Sequence, residues 1–185
     1  MKKLINYIEK NRLGSTEVAD ALGKKGVFNT NLKPLIPGQF LVGKCQYIAT
    51  FDESNWPIHE QGVNAKEDYI LYVDGINCND KALFGELVAK YFLLYRGVKG
   101  IVVNGRLRDI PHLKRYSFPI FFTGVSPLGV TNKDVKPDEE TLKHISYNKA
   151  VFDDSVLVCD DSGVTLIQNN ISEDELLEKM IFIEA

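Results

Sequence analysis

The stretch KALFGELVAKYFLLYRGVKGIVVNG, residues 81–105, sets the tightest limit on what this chain can fold into. Its first part has helical spacing, which predicts a buried face of Leu87, Tyr91 and Leu94 and a stop at Gly97. Its second part carries Ile101, Val102 and Val103, strand-forming aliphatics that want burial. A helix running directly into such a strand, with DYILYVDG before it and FPIFFTG after it as further strands, makes the class mixed α/β.

The flanks fit the same class. GSTEVADALGKKG predicts a short helix with Ser15 or Thr16 as N-cap and Gly23 as stop. GQFLVGKCQYIATF reads as a strand, and SVLVCDDSGVTLIQ as two strands about the turn Asp160–Gly163. A short helix is expected from about Ile110 to Tyr116, and SEDELLEKM closes the chain as a helix with a Ser172–Glu175 capping box. No linker, repeat or low-complexity tract divides the 185 residues, so residues 1–185 are expected to form one domain, with residues 1–24 as an N-terminal helical segment and residues 172–185 as a C-terminal helix.

A net charge of −3 with scattered Lys and Arg gives no footprint for nucleic acid. Cys45, Cys78 and Cys159 are odd in number, form no CxxC pair and lie beside strand-like residues, which suits buried thiols in a reducing cytoplasm. Asn6, Glu9 and Lys10 interrupt the opening apolar run too early for a signal peptide, and nothing approaches the roughly 20 apolar residues of a membrane span. A soluble cytoplasmic protein with no membrane partner is the expectation.

Several residues have both a plain and a chemical reading. Asp109 stands where a helix begins and can simply cap it, and Arg108 can be solvated, yet strand ends followed by turns are where α/β proteins present side chains to ligands. Gly85 near the front of a helix costs about 1 kcal/mol relative to alanine, so close packing or the approach of a ligand must require it before Glu86. His112 follows Asp109 in a D-x-x-H spacing that can hold a metal, although a surface histidine is the plainer reading. Asp160-Asp161 reads as a turn rather than a cation site, PDEE reads as a solvated helix start, and His59 and His144 receive no role.

Taken in order, STEVADALGKKG, IPGQFLVGKCQYIAT, ALFGELVAKYFLLYRGVKGIVVNGRLRDI, FPIFFTGVSPLG and DDSGV resemble the RraA-like proteins, which include regulators of ribonuclease E activity and class II 4-hydroxy-4-methyl-2-oxoglutarate aldolases. The specific part is the central block: a Gly-acid pair, a helix, a buried strand and Gly-x-x-Arg-Asp. The resemblance implies a β/β/α swivelling-type fold assembled as a homotrimer or a dimer of trimers, with the aldolase site at the subunit interface. It implies a divalent metal, usually magnesium with manganese as a substitute, held by Asp109 largely through waters that Glu86 helps to order. It also implies that Arg108, Gly85 and the amides of Leu87 and Val88 grip the pyruvyl part of a keto-acid substrate.

Those residue types suit that chemistry. Magnesium needs only one or two carboxylates beside its waters, and a guanidinium meets a carboxylate bidentately. Retro-aldol cleavage of a 4-hydroxy-2-oxo acid and decarboxylation of oxaloacetate both develop enolate charge that a metal stabilises. The competing expectation is a non-catalytic regulator that binds a protein partner, and a third is an enzyme of different specificity. Three features depart from the family pattern. Leu87 to Leu107 holds one residue more than usual, expected around YFLLYRG, where it can rotate Glu86 relative to Asp109. YNKAVFDDSVLV replaces a common Pro-Gly-Asp turn. The acid that the aldolases draw from a neighbour's C-terminal region has only Glu178 and Glu184 as candidates here.

Overall fold

Side chains alternate across the strand Ile70–Ile76 (β3), and both of its faces are buried: Leu71 and Val73 enter one apolar cluster, Ile70 and Tyr72 another. Only a strand covered on both sides reads this way, and β3 lies inside the sheet. The computed structural model describes residues 1–29 and 31–184. Among them the sheet runs β1 (Lys33–Pro34), β6 (Ile120–Val125), β5 (Gly100–Leu107), β3, β2 (Leu41–Phe51), β7 (Val156–Asp160) and β8 (Gly163–Ile167), with β4 (Ala82–Phe84) pairing off β5. The strands β2, β3, β5, β6 and β4 pair in parallel, while β1, β7 and β8 pair antiparallel at the margins. This is a mixed α/β domain.

Three apolar clusters hold the layers together. The helices α3 (Trp56–Gly62), α4 (Glu86–Lys90) and α5 (Ile110–Arg115) send Ile58, Ala89 and Leu113 against Leu71, Val73, Ile101 and Val103. On the other face α6 (Glu139–Phe152) lays Phe152 against Tyr72, ring centroids 4.6 Å apart, and against Tyr47. The helices α1 (Lys2–Asn11), α2 (Ser15–Ala21) and α7 (Glu173–Glu184) pack Leu4, Ile8, Val18, Leu176 and Met180 on Val156, Val158 and Ile167. All three cysteines are buried and free. No helix among the described residues is long and apolar enough to cross a membrane.

Several expectations need correction. Residues 82–84 form a strand, although Ala, Leu and Phe there continue a helical period; pairing with β5 overrides local propensity. The helix therefore starts only at Glu86, and its buried residues are Ala89 and Phe92, while Leu87 and Leu94 are exposed. Gly14 rather than Ser15 or Thr16 caps α2, because the Asp160 carboxylate crosses from β7 to accept from the Ser15 amide at 2.6 Å and the Ser15 hydroxyl at 2.7 Å. The same carboxylate accepts from the Ser162 amide at 2.8 Å, in the expected turn. PDEE does open a helix, with the Asp138 carboxylate accepting from the Thr141 amide at 2.8 Å.

Candidate active site

The parallel pairing of β4 with β5 brings the two halves of the central motif together. Phe84 stands opposite Leu107, and the Arg108 amide donates to the Phe84 carbonyl at 3.1 Å. The next residues along the two strands, Gly85-Glu86 and Arg108-Asp109, are therefore set side by side at the carboxyl ends of parallel strands, where α/β sheets hold their ligands.

The segment between the two pairs contains an irregular turn. After Lys90 the helix widens into a π-helical segment, Tyr91–Tyr95, closed by the Arg96 amide donating to Tyr91 at 2.9 Å. A π turn takes up one additional residue, and it lies downstream of Glu86. The sheet, rather than the helix, fixes Glu86 relative to Asp109.

Asp109 adopts the left-handed conformation, φ 60° and ψ 31°, at the N-cap of α5. Its carboxylate does not cap that helix, contrary to the plain reading. It turns to the other strand, and Oδ2 accepts from the Glu86 amide at 3.2 Å. Gly85 makes this approach feasible: a Cβ on it would lie 2.1 Å from Asp109 Oδ2 and 3.0 Å from Arg108 Cγ. Its φ of −141° needs no glycine, so close packing is the reason for the residue.

The Glu86 carboxylate is engaged within the chain. Oε1 pairs with Lys90 at 2.5 Å and Oε2 meets His112 Nδ1 at 3.0 Å. Lys90 first, and His112 after it, hold the Glu86 carboxyl below the usual glutamate range. His112 is thus a partner of Glu86. Arg108 is exposed and has no carboxylate partner among the described residues, whereas nearby Arg106 pairs with Asp80 at 2.7 Å.

This donor set suits a hard cation held mainly through water. Asp109 keeps most of its lone pairs free beyond the one amide it accepts, and magnesium needs only one or two carboxylates. No group of three or more His, Cys, Asp or Glu that could enclose a metal occurs among the described residues. Leu87 is exposed and Val88 half-buried; both lie in the first turn of α4, where amides lack helical partners. Glu178 lies in a groove between α7 and α2 with Asp20 and Phe182, and the Glu184 side chain lies outside the described part of the chain.

A second polar group escaped the sequence reading. The Asp74 carboxylate is 2% exposed yet takes donors from three other elements. Tyr47 Oη donates to Oδ2 at 2.8 Å and Asn104 Nδ2 to Oδ1 at 2.8 Å; His144 Nε2 and Asn148 Nδ2, on α6, lie 3.0 and 3.2 Å from Oδ2. Asp74 presses the Tyr47 hydroxyl's pKa upward, after burial itself. The one available signal was an aspartate inside an otherwise apolar strand; its partners lie 27 to 74 residues away.

Known proteins resemble this chain to different depths. The chain is 25% identical over 181 residues to Protein DlpA of Legionella pneumophila, covering 91% of this chain and 28% of that protein. It is 26% identical over 123 residues to a protein of Halalkalibacterium halodurans named putative 4-hydroxy-4-methyl-2-oxoglutarate aldolase, covering 66% of this chain and 58% of that one. The chain thus spans about a quarter to three fifths of the length of the curated relatives it matches. Among solved structures, Streptomyces coelicolor RraAS2, described as an unusual member of the RNase ES inhibitor RraA protein family, superposes with a TM-score of 0.69 at 18% identity, over 98% of this chain and 90% of that one; it shares the fold. A family model, RraA-like: Aldolase/RraA, matches residues 15–166, from the start of α2 into β8, and the chain belongs to that family.

Proposed function

We propose that the chain is a divalent-metal-dependent carbon–carbon lyase acting on a pyruvate-derived keto acid, by retro-aldol cleavage, decarboxylation of oxaloacetate, or both. The observation that carries this reading is the juxtaposition of an exposed, unpaired Arg108 guanidinium with an Asp109 carboxylate that is turned away from its own helix. A cation-binding carboxylate beside a carboxylate-binding arginine matches the two ends of a 2-oxo acid. The aldolase name of two curated relatives points the same way.

Arg108 would take the substrate carboxylate in a bidentate grip, and the amides of Leu87 and Val88 would add donors from the first turn of α4. Asp109, with Glu86 behind it, would hold magnesium or manganese largely through waters. The bound cation supplies Lewis-acid stabilisation of charge developing on the keto oxygen. Gly85 keeps that carboxylate in place, and the Lys90 and His112 contacts hold the Glu86 carboxylate in position. We place the working site in a ring-shaped trimer or a dimer of trimers; exposed Leu87, Leu94 and Tyr95, on and just beyond α4, suit burial against a second copy.

One observation favours a second reading, a non-catalytic regulator with a protein partner. Both Glu86 oxygens are taken by Lys90 and His112, which leaves Asp109 as the one free carboxylate of the pair. An assay of pyruvate release from oxaloacetate and from 4-hydroxy-4-methyl-2-oxoglutarate separates the two readings. Turnover that needs magnesium and stops with chelator supports the lyase; no turnover of either compound, with no binding of oxalate, moves the regulator to first place.

A further inference from the structure

The segment after β6 is stitched down at both ends. The Ser126 amide donates to Leu107 O at 3.0 Å, Ala82 N to Leu128 O at 2.8 Å and Val130 N to Ala82 O at 3.0 Å. The Thr131 amide donates to Glu53 O at 2.8 Å, and its hydroxyl reaches the same oxygen at 3.1 Å. Between these fastenings Gly129 passes directly over Arg108. A Cβ on Gly129 would lie 2.8 Å from Arg108 Nη1, 3.2 Å from Cζ and 3.7 Å from Nε.

Gly129 is not among the residues with positive φ, so its backbone would accept a side chain. What excludes one is the guanidinium. At the other end of the same side chain, Gly85 comes within reach of Cγ. Arg108 therefore runs between two glycine backbones, one on β4's exit and one on the strap of residues 126–131, with no carboxylate among the described residues to hold it. Such a channel fixes the plane of the fork, which is what a bidentate contact to a carboxylate requires.

We propose that Gly129 is a positioning residue for substrate recognition: the stitched strap sets the orientation of the Arg108 guanidinium so that the site selects a planar carboxylate. The inference rests on the lyase reading above, in which Arg108 binds the keto-acid carboxylate. It assigns the strap a part in affinity and none in the bond-breaking step.

The test is Gly129→Ala, assayed with the full chain in magnesium against oxalate binding and keto-acid turnover. Because the nearest obstruction is the far end of a flexible side chain, the variant should fold and move the guanidinium instead. Oxalate affinity is expected to fall about five- to tenfold, with KM rising in step and kcat within about twofold of the parent. In an Arg108→Ala background the same change should have no further effect, which a strap of purely structural importance would not produce. Should Gly129→Ala not fold, Thr131→Val, which removes one stitch at constant volume, should raise KM about two- to threefold.

Unchanged oxalate affinity in Gly129→Ala, while Arg108→Ala loses it, overturns the role of the strap and leaves the lyase reading intact; for the substitute variant an unchanged KM has the same meaning. An Arg108→Ala protein that binds oxalate normally overturns both.

Discussion

Gly85 and the Asp109 carboxylate are packed so closely that a Cβ at position 85 would stand 2.1 Å from Oδ2. A contact this short cannot be tolerated, so Gly85→Ala must push the carboxylate away from the Glu86 amide. Outer partners that orient a metal-binding carboxylate are worth on the order of ten- to a hundredfold in metal affinity. Gly85→Ala is expected to raise the magnesium concentration needed for half-maximal turnover by that factor, with an unchanged circular-dichroism spectrum. A magnesium dependence equal to the parent's would show that Asp109 is not the anchor.

Asp109→Asn should abolish magnesium-dependent turnover and leave the fold intact, since an amide does not offer a hard cation the same charge and the residue is exposed. Glu86→Gln should do less harm, because its carboxylate is occupied by Lys90 and His112. Its pH signature has a definite sign. A carboxyl held below its ordinary value of 4.5 contributes stability above about that pH and loses it as pH falls through the folded value. Glu86→Gln should therefore lower the thermal midpoint slightly at pH 7, where the contribution is fully present, and the difference from the parent should vanish as pH falls well below about 4.5. A difference that persists unchanged into acid contradicts the pairing with Lys90 and His112.

The buried Asp74 behaves in the opposite way to the site carboxylates. Removing it strands the Tyr47 hydroxyl and the Asn104 amide without their acceptor in the core. Asp74→Ala should cost about 3 kcal/mol of unfolding free energy. His144→Ala, which removes a half-exposed donor to the same carboxylate, should cost about 1 kcal/mol. Urea unfolding with an unchanged slope reads both values. A stability loss at Asp74 no larger than that at His144 would mean that the donors find other partners.

What the sequence disclosed, and what it hid, follows from the range of the interactions. Ile101–Val103 and the glycine–aspartate turns announce themselves through local composition, and β5 and the β7–β8 hairpin lie where that composition places them. Residues 82–84 do not, because the β5 strand that recruits them begins sixteen residues beyond β4. The face expected on Leu87, Tyr91 and Leu94 lies instead on Ala89 and Phe92, and beyond Lys90 the period of 3.6 does not survive the π segment at Tyr91–Tyr95. Arg108 and Asp109 were legible as a pair, but the reason for Gly85 was not; it depends on a carboxylate arriving from a neighbouring strand. His144 receives no role from the sequence because its partner is on β3, 70 residues earlier.

Arg108 gives the most discriminating test of the lyase reading. It is exposed, has no carboxylate partner among the described residues and is mounted at the exit of a largely buried strand, so it contributes little to the core. In the proposed complex it meets the substrate carboxylate in both the ground state and the transition state. Removing such a contact raises KM more than it lowers kcat. Arg108→Lys keeps the charge and loses the fork, and an ionic hydrogen bond is worth about 1.5–3 kcal/mol, so KM should rise by about tenfold or more. Oxalate, a mimic of the pyruvate enolate, should weaken as a competitive inhibitor by a similar factor. Arg108→Ala should do both more severely, with a thermal midpoint within about 2 °C of the parent. If Arg108→Ala instead unfolds the protein, and the parent binds no keto acid, the arginine is a structural residue and the site is not a keto-acid pocket.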